Sequence, residues 1–449
     1  MSFKIIKSLL IITSFIILAS CNNNTGSTTN TTTNQLQVSN IQQNKPQNNY
    51  LAKPTGEYGI GFKDIHFQDN SRCPDVFYKA GVNESDFSLE NTNHCREIMV
   101  RVYYPTNEST ALGSPYYNPL ILNTEYNFKM YASYAAPETK LDFTQFEATR
   151  SFTQENVNTA IGQFPVVLFS PGSGNSVQDY ENIITNLVSH GYVVVAINSI
   201  FLSGYTALPN GHMVTYEGND DAVHTQRSLD IEYIYNYINK INSSLSNIMD
   251  TSRIGMMGHS DGANGVAQVL STAPQYKVNA AIAMDTDVKP SYESFNVPFM
   301  HMLSGTRYWT GKYGSPRIDY VPHYQLAKDN YLVGITPTVN ELVDPPQYGP
   351  LYTTHGSFSN DETLQDLDVY QTMLPVFESL NKIIFAGNTI GSEWGTGKGF
   401  EVTKSINTYV VKFFDNYLKN IVTPVFNNYN CQALTTDTII SCGPTVFPN

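Results

Sequence analysis

Apolar and polar positions along this chain switch between the two-residue rhythm of strands and the 3.6-residue rhythm of helices. Residues 98–104 read as a strand that Pro105 ends. The solid apolar run 164–169 predicts a strand buried on both faces, running into Ser170-Pro171-Gly172-Ser173-Gly174. Helical spacing follows over 178–190, with Tyr180, Ile183, Ile184 and Leu187 on one face and Gly191 as the C-cap. Further strands are expected at 192–197, 253–257, 278–284, 297–303 and 331–335. Helices are expected at 222–241, with Leu229, Ile231, Ile234, Tyr237 and Ile238 on its apolar face, at 261–270, and at 404–418, which closes the domain. Strand and helix in alternation from about 97 to 420 predict an α/β domain with a mostly parallel sheet covered by helices on both faces.

The amino terminus has a different pattern. Lys4 and Lys7 precede an apolar run of 11 residues, 9–19, the length of a signal-peptide core and too short to span a bilayer. Leu18-Ala19-Ser20-Cys21 then has the order of a bacterial lipobox, so residues 1–20 are expected to be removed and Cys21 to be acylated. Over 22–50, 20 of 29 positions are Asn, Thr or Gln, which cannot bury enough apolar surface to offset their ordering entropy. Residues 21–53 therefore read as a polar tether, whose r.m.s. span as a flexible coil is on the order of 30 Å. The domain is expected over 54–420 and a C-terminal extension over 421–449. The location expected is the cell envelope, on the outer membrane.

Composition narrows the function classes. With 39 acidic against 26 basic residues the formal charge is −13, so clustered cations for a nucleic-acid backbone are not expected. Loss of Lys4 and Lys7 would make it −15, which leaves the acyl chains rather than a basic patch to hold a membrane. Besides Cys21 there are Cys73, Cys95, Cys431 and Cys442, an even number that favours disulfides in an exported chain. Of three connectivities, the local pairs Cys73–Cys95 and Cys431–Cys442 are expected. Structural zinc is the weaker alternative, since there is no C-x-x-C and no nearby His pair.

Chemistry concentrates where strands end. Gly258-His259-Ser260-Asp261-Gly262 fits G-x-S-x-G between an expected strand and helix, making Ser260 the candidate nucleophile. The N–H of Asp261 and that of Ser173 in the earlier Gly-rich loop are candidate oxyanion donors. Asp285 and Asp287, after the strand at 278–284, compete as the acid of a triad, and His355 is the candidate base. His259 reads as the variable residue of the turn and His301 as a buried core histidine. No metal or organic cofactor is required by this set.

Phe164-Pro-Val-Val-Leu-Phe-Ser-Pro-Gly-Ser-Gly, Ser189-His-Gly-Tyr-Val-Val-Val-Ala-Ile, Gly255-Met-Met-Gly-His-Ser-Asp-Gly, Ala281-Ile-Ala-Met-Asp285 and His355-Gly-Ser-Phe-Ser together resemble the platelet-activating factor acetylhydrolase family of α/β-hydrolases. Gly56-Glu-Tyr-Gly-Ile-Gly and Arg101-Val-Tyr-Tyr-Pro105 are similar to the family's entry segment, so the resemblance runs over about 56–420. It implies an α/β-hydrolase fold with Asp285 as the acid. Bacterial polyester hydrolases and cutinases place the acid one strand later, where this chain has Ser304-Gly305-Thr306-Arg307-Tyr308 and no carboxylate. Departures from the family are Asp261 after the nucleophile, Pro171 and Ser173 in the oxyanion loop, and a long stretch at 336–354 that reads as a lid, a pocket wall or a surface excursion.

The resemblance implies an ester or phospholipid substrate with short or oxidised acyl chains. A generic carboxylesterase, lipase or polyesterase would show the same triad, a peptidase of this fold usually carries an extra amino-terminal domain, and a non-catalytic envelope binding lipoprotein is the alternative from another class.

Overall fold

The computed structural model describes residues 50–108, 113–116, 149–217, 223–241, 243–286, 297–304, 330–335, 353, 355–364, 366–367, 399–426 and 439–442. The leader, Cys21 and most of the tether lie outside these residues, as do Asp287, Cys431 and 336–352 of the expected lid. No described helix is long and apolar enough to cross a membrane.

Twelve described strands run in chain order: β1 Gly59–Asp69, β2 Arg96–Thr106, β3 Thr153–Glu155, β4 Phe164–Ser170, β5 Val193–Ser199, β6 Tyr205–Ala207, β7 Met213–Thr215, β8 Met249–His259, β9 Ala280–Met284, β10 Phe299–Ser304, β11 Asn330–Ile335 and β12 Ile439–Cys442. Four helices matter for the site: α1 Glu181–Ser189, α2 Val223–Tyr237, α3 Asp261–Thr272 and α4 Gly399–Leu418. Apart from the β6–β7 hairpin the strands form one sheet in the order β12-β11-β10-β9-β8-β4-β5-β2-β1-β3. From β5 through β4, β8, β9 and β10 to β11 every pairing is parallel, while β2 is antiparallel to both β1 and β5. The parallel centre and its carboxyl edge follow from the apolar runs read in the sequence.

Period-two alternation sorts the strand side chains into two cores. On one face Val167, Phe169, Val194, Ala196, Ile282 and Met284 pack with α1 and α4. On the other Val166, Leu168, Val193, Val195, Ala281 and Ala283 pack with α2 and α3. Leu229, expected on the buried stripe of α2, is instead 36% exposed. The buried face of α2 carries Arg227 and Asp230, both at 0% exposure, beside Ile231 and Ile234.

Asp230 explains that placement. Its carboxylate meets the buried Arg96 of β2 at 2.6 Å and Arg72 at 2.8 Å, while Arg96 also reaches Asp75 at 3.3 Å. Burial alone would push the Asp230 carboxyl up, but the two guanidinium groups hold it below its usual range. Cys73 and Cys95 form a disulfide that closes the excursion between β1 and β2 beside this network. Cys442 ends β12, but Cys431, and with it the expected Cys431–Cys442 bridge, lies outside the described residues.

Strands β1, β3, β6, β7 and β12 were not read from the sequence. β1 is half-buried and carries Lys63, Asp64, His66 and Gln68 among its apolar residues, so its strand identity comes from pairing with β2 along its whole length. β12 pairs antiparallel with β11, so the segment expected as an extension adds a strand to the main sheet.

Candidate active site

Ser260 sits between the end of β8 and the start of α3 with φ 53° and ψ −126°, in the left-handed half of backbone space where a non-glycine residue is strained. Two glycines let this elbow close. A Cβ on Gly258 would lie 2.5 Å from the Gly262 carbonyl carbon, and one on Gly262 would lie 2.1 Å from the Ser170 carbonyl oxygen at the end of β4. The Ser260 N–H donates to the Met284 carbonyl at 2.9 Å, which ties the turn to the last residue of β9. Oγ is thereby held at the carboxyl edge of the sheet.

Asp285 follows β9 directly, with φ 46° and no exposed surface. Its N–H donates to Met302 of β10 at 2.7 Å, and Oδ1 accepts the Ser304 N–H at 2.7 Å. Thus Ser304, at the end of β10, supplies a backbone donor to Asp285 at the end of the neighbouring strand. His355 opens a 3-10 turn, His355–Phe358, behind β11, and the Thr353 hydroxyl donates to the Ile335 carbonyl at that strand's end. The turn is also moored to α1: Asn360 donates to the Gln178 carbonyl at 2.7 Å, and the Asn182 N–H donates to Asn360 Oδ1 at 2.9 Å.

These elements bring three of the predicted residues into one chain. His355 Nδ1 lies 2.6 Å from Asp285 Oδ2, and His355 Nε2 lies 3.0 Å from Ser260 Oγ. Asp285 is fully buried, whereas the His355 side chain is 19% exposed. Such an arrangement can move a proton from the serine to the imidazole and balance the charge that results.

The Gly-rich loop after β4 lies alongside. A Cβ on Gly172 would be 3.2 Å from Ser260 Cβ, a tight contact, so the loop approaches the elbow closely where residue 172 has no side chain. The Gly172 N–H donates to the Tyr180 hydroxyl at 3.1 Å, and the Gly174 N–H donates to the Leu202 carbonyl at 3.3 Å. Between them the Ser173 N–H has no hydrogen-bond partner among the described residues. Asp261 lies in the first turn of α3, where a carboxylate complements the helix dipole, and it is the largest attractive electrostatic influence on the buried Arg227.

Three residues near the site were not assigned roles from the sequence. His259 is buried, with its ring 4.5 Å from that of His355 and its Nδ1 2.8 Å from the Tyr180 hydroxyl. Tyr180 was read only as an apolar face residue and Arg227 not at all; a weak signal for the latter was the i,i+3 pair Arg227 and Asp230 on a helix whose apolar stripe is thin. His259, Asp285 and His355 also bring three possible metal-ligating atoms within 4.8 Å of one another. Two of those residues, Asp285 and His355, already share a 2.6 Å hydrogen bond.

A model of the family described as platelet-activating factor acetylhydrolase, isoform II, matches residues 46–203, bearing out the resemblance read from the sequence. The match spans β1 to the end of β5 and includes the loop at Ser173, while Ser260, Asp285 and His355 lie beyond it. A ferulic acid esterase from Streptomyces cinnamoneus has a similar fold, with a TM-score of 0.61 at 20% identity over 87% of this chain and 98% of that one. No curated protein matches in sequence. The sheet order, the family match and this likeness make the fold an α/β-hydrolase and support an esterase-type hydrolase.

Proposed function

We propose that this chain, which carries the platelet-activating factor acetylhydrolase signature on an α/β-hydrolase fold, is a serine esterase that cleaves short or oxidised acyl chains from phospholipids while tethered to the envelope membrane through Cys21. The observation that carries the chemistry is the Ser260–His355–Asp285 hydrogen-bond chain at 3.0 and 2.6 Å.

Asp285 Oδ2 accepts the His355 Nδ1 proton and so leaves the Nε2 lone pair facing Ser260 Oγ. As Oγ attacks an ester carbonyl, Nε2 takes its proton, and the buried carboxylate stabilises the imidazolium. The N–H groups of Ser173 and Asp261 hold the oxyanion, and the imidazolium returns the proton to the departing alcohol. Water, activated by the same histidine, then releases the acyl group and restores Ser260. A general carboxylesterase is the second reading, favoured by the likeness in fold to a ferulic acid esterase.

The test is hydrolysis of p-nitrophenyl esters from acetate to palmitate, a short-chain phosphatidylcholine and a ferulate ester by the domain from residue 46 onward, with Ser260→Ala beside it. Loss of several orders of magnitude in kcat in the variant is expected, with a preference for acetate and short-chain phospholipid. A ferulate preference would move the substrate to the second reading, and no turnover of any ester would leave the binding-lipoprotein alternative. Anchoring is tested separately, by incorporation of radiolabelled palmitate into the full chain and its loss in Cys21→Ala.

A further inference from the structure

A guanidinium with no exposed surface stands behind the oxyanion loop. Arg227 Nη2 donates to the Gly172 carbonyl at 3.2 Å and to the Leu202 carbonyl at 2.7 Å, and lies 3.5 Å from Ser173 Oγ. Its Nε and Nη1 have no hydrogen-bond partner among the described residues, and no ion pair ties it to a carboxylate there. Burial lowers its pKa, and the nearby Asp261 carboxylate works against that. Its described hydrogen bonds all run to the Gly-rich loop and to the Leu202 carbonyl, so that loop is what this guanidinium holds. The contrast with Arg96 of β2 is direct, since that guanidinium is met by two carboxylates.

The bond to Gly172 O bears on catalysis because of peptide geometry. The Gly172 carbonyl and the Ser173 N–H belong to one planar trans peptide, in which they point in opposite directions. Fixing the carbonyl therefore fixes the amide. Gly172 O is held twice, by Arg227 Nη2 and by the Asn175 N–H at 3.2 Å, while the flanking N–H groups of Gly172 and Gly174 are committed to Tyr180 and Leu202. Among the described residues the one N–H of the loop without a partner is that of Ser173, and the loop lies against Ser260. A cationic donor on a carbonyl also polarises its own peptide, which strengthens the N–H at the other end.

We propose that Arg227 is the positioning residue of the oxyanion hole: by holding the Gly172 carbonyl it aims and polarises the Ser173 N–H at the oxygen that becomes negative when Ser260 attacks. Gly265 of α3 makes the room, since a Cβ there would stand 3.0 Å from Arg227 Cβ. This rests on the serine-hydrolase reading above.

The experiment compares wild type, Arg227→Lys and Arg227→Met on p-nitrophenyl acetate and in labelling by a fluorophosphonate. In labelling, the Ser260 Oγ–P bond forms, the P–F bond breaks, His355 takes the serine proton and fluoride leaves, so Ser260 is read without any ester substrate. Removing a direct oxyanion donor costs about 10²–10³ in kcat, and a residue acting through that donor is expected to cost about 10–100-fold. Arg227→Met should lose that factor in kcat and in labelling rate with KM within threefold, and Arg227→Lys, which keeps the charge but not the planar fork, should recover part of it. A folded Arg227→Met with wild-type kcat and labelling rate, or with KM alone raised, overturns the proposal. If Arg227→Met does not fold, Arg227→Lys decides, and undiminished kcat in it overturns the proposal equally. Wild type that labels at Ser260 but cleaves no ester refutes only the substrate, and the labelling rates still judge Arg227; wild type that does not label refutes the hydrolase reading and this one with it.

Discussion

Replacing Asp285 by asparagine tests the triad with almost no change of shape. The residue sits at φ 46°, a backbone region that asparagine tolerates as well as aspartate, so the fold should be kept. Both carboxylate oxygens accept: Oδ1 from Ser304 N–H at 2.7 Å and Oδ2 from His355 Nδ1 at 2.6 Å. Asparagine offers one acceptor and one donor. With its oxygen on Ser304, its NH₂ faces Nδ1, which must become an acceptor, and the ring proton moves to Nε2, 3.0 Å from Ser260 Oγ. That tautomer cannot take the serine proton. The competent alternative turns NH₂ toward Ser304 N–H and leaves a buried donor unsatisfied, at a cost of about 1–3 kcal/mol. A total loss of about 10⁴ in kcat is expected for a tautomer-locked triad, or ~5.4 kcal/mol at 1.36 kcal/mol per decade. The flip thus accounts for part of the loss, and the missing negative charge beside the imidazolium for the rest. Steady-state hydrolysis of p-nitrophenyl acetate gives the number, with thermal unfolding as the control. An Asp285→Asn protein that keeps kcat within tenfold of wild type would refute Asp285 as the orienting acid.

Other consequences are as direct. Gly262→Ala puts a Cβ 2.1 Å from the Ser170 carbonyl, so it should lower Tm and abolish fluorophosphonate labelling together; activity surviving intact would mean the elbow is not held as described. Opening the Cys73–Cys95 bridge with Cys73→Ser removes a crosslink between residues 22 apart and should cost about 3 kcal/mol in urea unfolding, with kcat unchanged while folded. Asp230→Ala takes from the buried Arg96 the closer of its two carboxylates, leaving Asp75 at 3.3 Å, and should cost about 3–5 kcal/mol by the same measurement. Asp69, Glu97 and Asp230 are pushed up by burial but held below their usual values by their hydrogen-bonding and charged partners. Groups depressed in the folded state contribute stability that is present above their unfolded pKa, about 4, and is lost as pH falls through the lowered folded values. Glu181, raised by burial, works in the opposite sense. Urea midpoints should therefore drop on acidification below about pH 4, and less steeply in Asp230→Ala.

Elements whose signal is local were legible in the order of residues. Buried parallel strands such as β4, β5 and β9 are continuous apolar runs, and a strand, a G-x-S-x-G turn and a small-residue helix in succession leave little freedom for Ser260. The acid could be placed at the end of one strand, although Asp285 and Asp287 could not be told apart by position alone. His355 could be chosen among nine histidines because it follows the last parallel strand. Features that depend on partners far away in the chain emerged with the packed fold. β1 and β12 are strands because β2 and β11 pair with them, and Leu229 is exposed because α2 turns Arg227 and Asp230 inward to meet the loop at Gly172 and the guanidinium of Arg96. His259, Tyr180 and Asn360 gain their places at the site through contacts spanning 79 to 182 residues of sequence. A hydrophobic pattern records which side of an element is dry; it does not record which buried polar groups will face each other across it, since that depends on how the elements pack.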